Sequence, residues 1–250
     1  MKHGLLCTVL GIIMAIAGWT AAQAEIWPLK IERVNVLPRG QLVMDAGIAF
    51  EQDRELAGLE YDNVRLAPLG LRYGLGDSAE VGGFIAFSSN SADNSGAPDE
   101  SGLEGLTLFG KLAMNESFSL QLGATILGDD DIAPYANDGV DLFVNIPMQR
   151  QIAHGLLYGQ FGYRIQGGDF DDTSYFNFGI GYGYPLDDRI GLNVELVGEQ
   201  EQKGTRNTLE LVLGGNIIAT RNVRIGPYLS IGIYDDSPDV AVGSFLEVTF

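Results

Sequence analysis

The sequence predicts an all-β, transmembrane, up-and-down antiparallel β-barrel of about twelve strands over residues 40–250, and three observations carry that prediction. Twelve segments alternate apolar and polar residues with the period of a strand. The connections between them alternate between short turns and longer polar links. Aromatic residues collect at both ends of the apolar face, where the two interfaces of a bilayer would lie.

The chain opens with Lys2, an apolar run from Leu5 to Ala17, and small residues ending Ala22-Gln23-Ala24. This is the pattern of a secretory signal peptide, so residues 1–24 are assigned to it, with cleavage expected after Ala24. The run is shorter than the roughly 20 residues a spanning helix needs. Cys7, the one cysteine, falls inside it. The rest of the chain therefore has no disulfide, thiol chemistry or cysteine metal site. After Ala24 there are 14 Lys and Arg against 33 Asp and Glu, a net charge of −19 that argues against nucleic acid as a partner. No later segment is long and apolar enough to be a spanning helix, which leaves a soluble exported protein or a barrel.

Residues 25–39 mix apolar and charged residues and contain Pro28 and Pro38, so they read as a periplasmic lead-in or a plug. Ile31 to Val36 within them also reads as a short extra strand. From Gly40 the rhythm becomes regular. Strands are expected over 41–50, 64–75, 79–88, 104–114, 117–127, 139–148, 155–166, 174–184, 190–199, 207–218, 222–234 and 240–250. The first sets Leu42, Met44, Ala46, Ile48 and Phe50 against Gln41, Val43, Asp45, Gly47 and Ala49. The ninth sets Ile190, Leu192, Val194 and Leu196 against Gly191, Asn193 and Glu195. One face suits hydrocarbon and the other suits a polar interior, and these lengths suit the ~9–11 residues of a tilted membrane strand.

Short links at 76–78, 115–116, 185–189 and 219–221 alternate with polar links at 51–63, 89–103, 128–138, 167–173, 200–206 and 235–239. Short periplasmic turns and longer outer loops place both ends of the barrel in the periplasm. The turn from Met148 to His154 is longer than the others on its side. Pro68, Pro147 and Pro227 fall inside strands, where each removes a ladder hydrogen bond, so strand ends or bulges are expected there. Tyr73, Phe118, Tyr184 and Phe250 at the periplasmic ends, with Phe50, Phe87 and Phe176 at the outer ends, form the expected aromatic girdle. A soluble twelve-strand sandwich would keep the alternation but explains neither belt.

The last strand closes the chain on a bare phenylalanine. Its alternation through Val240, Val242, Leu246, Val248 and Phe250 resembles the C-terminal assembly signal of Gram-negative outer-membrane barrels, with Phe245 where such signals commonly carry glycine.

Chemistry offers few candidates. His154, the one histidine after the leader, falls in a predicted periplasmic turn, so no Ser-His hydrolase is expected and the chain is read as a non-enzyme. Asp129, Asp130, Asp131 and Asp138, with Asp169, Asp171 and Asp172 in the next outer loop, either hold calcium or recruit divalent ions diffusely. Their spacing matches no EF-hand, and no resident metal or cofactor is assigned. The inward parity carries Asp45, Glu80, Asp141, Glu195, Glu210 and Glu247 as acids and Arg72, Lys111, Arg164 and Arg224 as bases. These charges either orient a solute or fill the barrel with ion pairs. Arg72, Lys111 and Arg224 are expected near the periplasmic end, and Asp141 and Arg164 near the outer mouth.

Leu37-Pro38-Arg39-Gly40-Gln41-Leu42, then Ala49-Phe50-Glu51-Gln52-Asp53 and Leu71-Arg72-Tyr73-Gly74-Leu75-Gly76-Asp77-Ser78-Ala79-Glu80-Val81-Gly82, resemble the opening hairpins of one barrel family. That family is the outer-membrane proteins assigned to the MetA pathway of phenol degradation, and Gly105 to Lys111 is similar to a later segment of theirs. The resemblance implies a barrel tied to uptake of small, often aromatic, compounds. The chain is thus expected in the outer membrane of a Gram-negative bacterium as a channel or transporter for small molecules. Its expected partners are outer-membrane lipid and lipopolysaccharide, the barrel-assembly machinery and a small solute. The alternative is a structural or adhesive barrel with a sealed lumen and acidic outer loops.

Overall fold

The computed structural model describes residues 26–56, 59–92, 99–126, 128, 139–167, 174–202 and 207–250. Twelve antiparallel strands run in chain order as β1 (Leu42–Leu56), β2 (Leu59–Gly74), β3 (Ala79–Ala92), β4 (Glu100–Ala113), β5 (Ser119–Ile126) and β6 (Asp141–Ile152). They continue as β7 (Gly155–Ile165), β8 (Ser174–Pro185), β9 (Ile190–Glu201), β10 (Asn207–Thr220), β11 (Val223–Gly232) and β12 (Val240–Thr249). Each pairs with its sequence neighbours, and β12 closes the barrel on β1 in a continuous register from Val43↔Thr249 to Gln52↔Val240. Closure leaves no unpaired edge, which is what lets strands cross hydrocarbon. Phe250 adds its amide to the carbonyl of Leu42 (2.9 Å).

Alternation sorts the two faces as the sequence requires. On β1, Val43 and Ala49 are buried toward the interior, while Met44, Ile48 and Phe50 face outward. Leu71, Leu122 and Ile180 are each more than half exposed. An apolar surface that continuous is unsuited to water and suited to lipid.

The strands depart from the predicted segments at their outer ends. β1 continues to Leu56 and β2 starts at Leu59, with Arg54↔Tyr61, Glu55↔Glu60 and Leu56↔Leu59 in register, so most of the predicted 51–63 link is hairpin. Similarly, Ser89 to Ala92, expected in the polar link 89–103, is strand. Beyond the lipid neither face must be apolar and the alternation fades, yet backbone groups still gain by pairing. A register shift between Glu51 and Arg54, with Asp53 at φ 49°, bends this extension. The long turn expected at 148–154 shrinks to Ala153-His154, because β6 runs on to Ile152.

The prolines meet the ladder at its irregular points. Register shifts on both sides of Pro68 leave Ala67 and Pro68 as a bulge, after a cis Ala67–Pro68 peptide. Gly47 lies against the Ala67 carbonyl there, where a side chain has no room. Pro147 pairs with Gln160 on β7 beyond the last β5–β6 pair, Gln121↔Asn145. Pro227 pairs with Ser244 of β12 where the β10–β11 ladder skips from Gly214↔Tyr228 to Ile217↔Ile225.

Candidate functional site: the lumen and its N-terminal segment

Residues 26–39 contain no strand, so Ile31 to Val36 does not extend the sheet. Instead the segment lies within the barrel. Trp27, Ile31, Val34 and Leu37 are buried. Ile26 packs near Gly183 and Gly191, Leu29 near Gly214 and Ile31 near Gly179, so inward glycines of β8, β9 and β10 leave room for it.

With no ladder available, side chains of the wall satisfy its backbone. The amides of Leu29 and Lys30 donate to the two oxygens of Glu195 (2.5 and 2.9 Å), which also accepts from the Tyr158 hydroxyl (2.8 Å). The Trp27 amide donates to Asn216 (3.0 Å), and its carbonyl accepts from Asn193. The Glu32 amide donates to Gln160 (2.7 Å) and that of Leu37 to Glu80 (2.8 Å). A turn at Gly40, in the left-handed region at φ 79°, then hands the chain to β1.

Charges tie the segment a second time. Lys30 Nζ lies 2.5 Å from Glu210, Lys111 Nζ lies 2.7 Å from Glu32, and Arg33 donates to Glu247 (2.6 Å). Glu247 also meets Arg72 (2.6 Å) and Arg224 (3.9 Å), and Arg72 completes a bidentate pair with Asp45. The Trp27 ring sits beside two guanidinium groups, Arg224 at 3.8 Å and Arg33 at 4.6 Å. Burial alone would raise the Glu32 carboxyl, but the Lys111 ammonium, aided by Arg72 and Arg33, holds it down at about 2. Burial works against the Lys30 ammonium, yet Glu210 leaves its pKa raised.

All ten predicted inward charges face the interior. Arg72, Lys111 and Arg224 lie near the strand ends at the 75–78, 114–118 and 221–222 turns; Lys111 is fully buried against Glu80 (3.0 Å). Arg164 and Asp141 meet at 3.4 Å toward the outer end, with Arg164 over the rings of Phe143 and Tyr175. Of the predicted girdle, Phe50, Tyr73, Phe87, Phe118 and Phe250 are exposed on the outer face, and Phe176 and Tyr184 are half-buried there. Phe176 stacks on Phe161 (5.6 Å) and tilts against Tyr163 (4.9 Å), two aromatics the prediction omitted. His154 is exposed in its turn. The predicted leader, Cys7 and the acids Asp129, Asp130, Asp131, Asp138, Asp169, Asp171 and Asp172 lie outside the described residues.

Sequence reasoning missed the partners supplied by the segment itself, Trp27, Lys30, Glu32 and Arg33. The signal was present: a Lys-Ile-Glu-Arg run is complementary to inward acids and bases. Also missed was the outer polar ring, where Arg65 and Glu104 form a bidentate pair (2.7 and 2.6 Å) and Arg54 lies 3.5 Å from Glu51. Between this ring and the segment is a cavity of about 580 Å³, floored by Leu29 to Arg33 and walled by Arg65, Glu104, Arg164, Glu199, Tyr175 and Tyr228.

No family model matches the sequence. No curated protein sequence matches it either. Solved structures do share the fold. An outer-membrane channel from Pseudomonas putida F1 superposes with a TM-score of 0.67 at 14% identity, covering 90% of this chain and 100% of that one. The β-domain of the Bordetella autotransporter BrkA gives 0.59 at 10% identity, covering 84% of this chain and 100% of its own. The CymD monoaromatic hydrocarbon channel gives 0.50 at 10% identity, over 85% and 88% of the two chains. The chain therefore has the closed-barrel fold of outer-membrane proteins.

Proposed function

We propose that this chain is an outer-membrane channel for small molecules whose path is closed on the periplasmic side by residues 26–39. One observation carries the reading: a charged cavity of about 580 Å³ continues above a segment held by polar contacts that can exchange with water or solute. A barrel with a purely structural role gains nothing from such a cavity, because an apolar filling would stabilise it more. The apolar outer face and the aromatic belts support placement in the outer membrane. Aromatic compounds, implied by the family resemblance, would find ring faces on Tyr175 and Tyr228. The surrounding ion pairs favour solutes that also carry a polar or charged group.

Single-channel recording in planar bilayers tests this. Purified protein should give discrete current steps, and a variant lacking residues 26–37 should give larger ones. No steps from either protein would leave the structural or adhesive barrel as the better reading.

A further inference from the structure

Lys30 stands apart from the other cations of the lumen. Its backbone is fixed independently, since the amides of Leu29 and Lys30 donate to Glu195, while its side chain reaches on to Glu210 of β10. There Nζ lies 2.5 Å from Oε2 of Glu210 and 5.5 Å from the centre of the Tyr228 ring. The Ser230 hydroxyl donates to the same carboxylate oxygen. Glu210 and Ser230 are both buried, at 7% and 1% exposure, but the Lys30 side chain is 22% exposed and forms part of the cavity floor. The arrangement has what an ammonium group needs away from bulk water: a carboxylate, a π face and a hydroxyl that orients the carboxylate.

Glu247 offers no comparable site, because Arg33, Arg72 and Arg224 all surround it. Among the described residues, Lys30 is the one cation within ion-pair distance of Glu210. Its removal would leave a buried carboxylate uncompensated, beside a cavity wide enough for a small organic ion.

We propose that Glu210, Ser230 and Tyr228 form a binding site for the primary ammonium group of a small solute, and that Lys30 occupies this site as a tethered stand-in. A solute amine reaching the cavity floor competes with Lys30 for the carboxylate and loosens one tie of the segment. This deepens the channel reading by naming a solute class, and relies on it only for how the amine arrives.

Titration calorimetry on purified, heat-modifiable barrel tests the site with n-butylammonium as the probe. Wild type should bind it weakly. Lys30→Met, which keeps the length and loses the charge, should bind it at least tenfold more tightly. Adding Glu210→Gln to Lys30→Met should abolish the gain. Tetramethylammonium, which has no N–H to donate, should gain little from Lys30→Met. The proposal fails if Lys30→Met binds n-butylammonium no better than wild type, if Glu210→Gln leaves the gain intact, or if tetramethylammonium gains equally. Should Lys30→Met not assemble, Lys30→Ala is read in the same way. Tight binding by a barrel that gives no current steps would sink the channel reading and keep the site; steps without binding would do the reverse.

Discussion

Glu195 grips the lumen segment at two adjacent backbone amides, so its loss strikes the segment and the Tyr158 hydroxyl bond while leaving the strand ladders paired. Hydrogen bonds to a charged group are worth about 1.5–3 kcal/mol each, and every 1.4 kcal/mol is tenfold in population. Glu195→Gln keeps the volume and one acceptor, so the unseated fraction should rise by roughly tenfold. The expected readouts are more frequent full openings in single-channel records and faster acrylamide quenching of Trp27, the one tryptophan after Ala24. Unchanged gating and quenching would mean that the segment is held elsewhere. Glu32 gives the pH dependence. Its carboxyl falls from an ordinary 4.5 to about 2 in the folded barrel, so its hold on Lys111 is complete above pH 4.5 and is lost as pH falls toward 2. Opening should therefore increase across that window in wild type and change less in Glu32→Gln, whose amide does not titrate. The inward face of these residues was legible from parity alone. Their role was not: parity left open whether these charges orient a solute or fill the barrel with ion pairs, and Glu195, Glu210, Glu80 and Glu247 hold the N-terminal segment. Parity says which way a side chain points, and no local pattern says that a stretch 43 to 214 residues away will meet it.

At the scale of elements, β12 and β1 depend on one another. Their register runs from Val43↔Thr249 to Gln52↔Val240, and Phe250 closes the seam at Leu42. Deleting Val248 to Phe250 removes the end of that seam where β1 begins and the terminal aromatic. Exported but unassembled protein should then accumulate in the periplasm; heat-modifiable barrel in the outer membrane would show that the terminal strand is dispensable. Strand existence was readable because lipid on one side and a polar interior on the other impose strict alternation. Strand length was less so, since β1 to β4 continue past the lipid as polar hairpins where alternation carries no information. The bulge at Ala67-Pro68 was foreshadowed by its proline, but the accommodating Gly47 on β1 was visible only once the register was known.

For the molecule as a whole, the ends of the barrel differ. The connections at 75–78, 153–154, 186–189 and 221–222 are tight and lie with the start of β1 and the end of β12, while those joining β3 to β4 and β5 to β6 are long. An epitope inserted near Asn94 should be reachable by antibody on intact cells, and one at Asp77 should not. The opposite labelling would invert the barrel. The segment inside the lumen is covalently continuous with β1, entering it through Gln41, whose amide bonds back to Pro38, and Gly40, whose amide bonds to Gly74. Once displaced it remains leashed at the rim where β1 begins, so its return is unimolecular, with an effective concentration on the order of millimolar. A dilute solute cannot outcompete such a leash for long. In the channel reading, uptake should rise with external solute and level off only as that solute approaches the millimolar range.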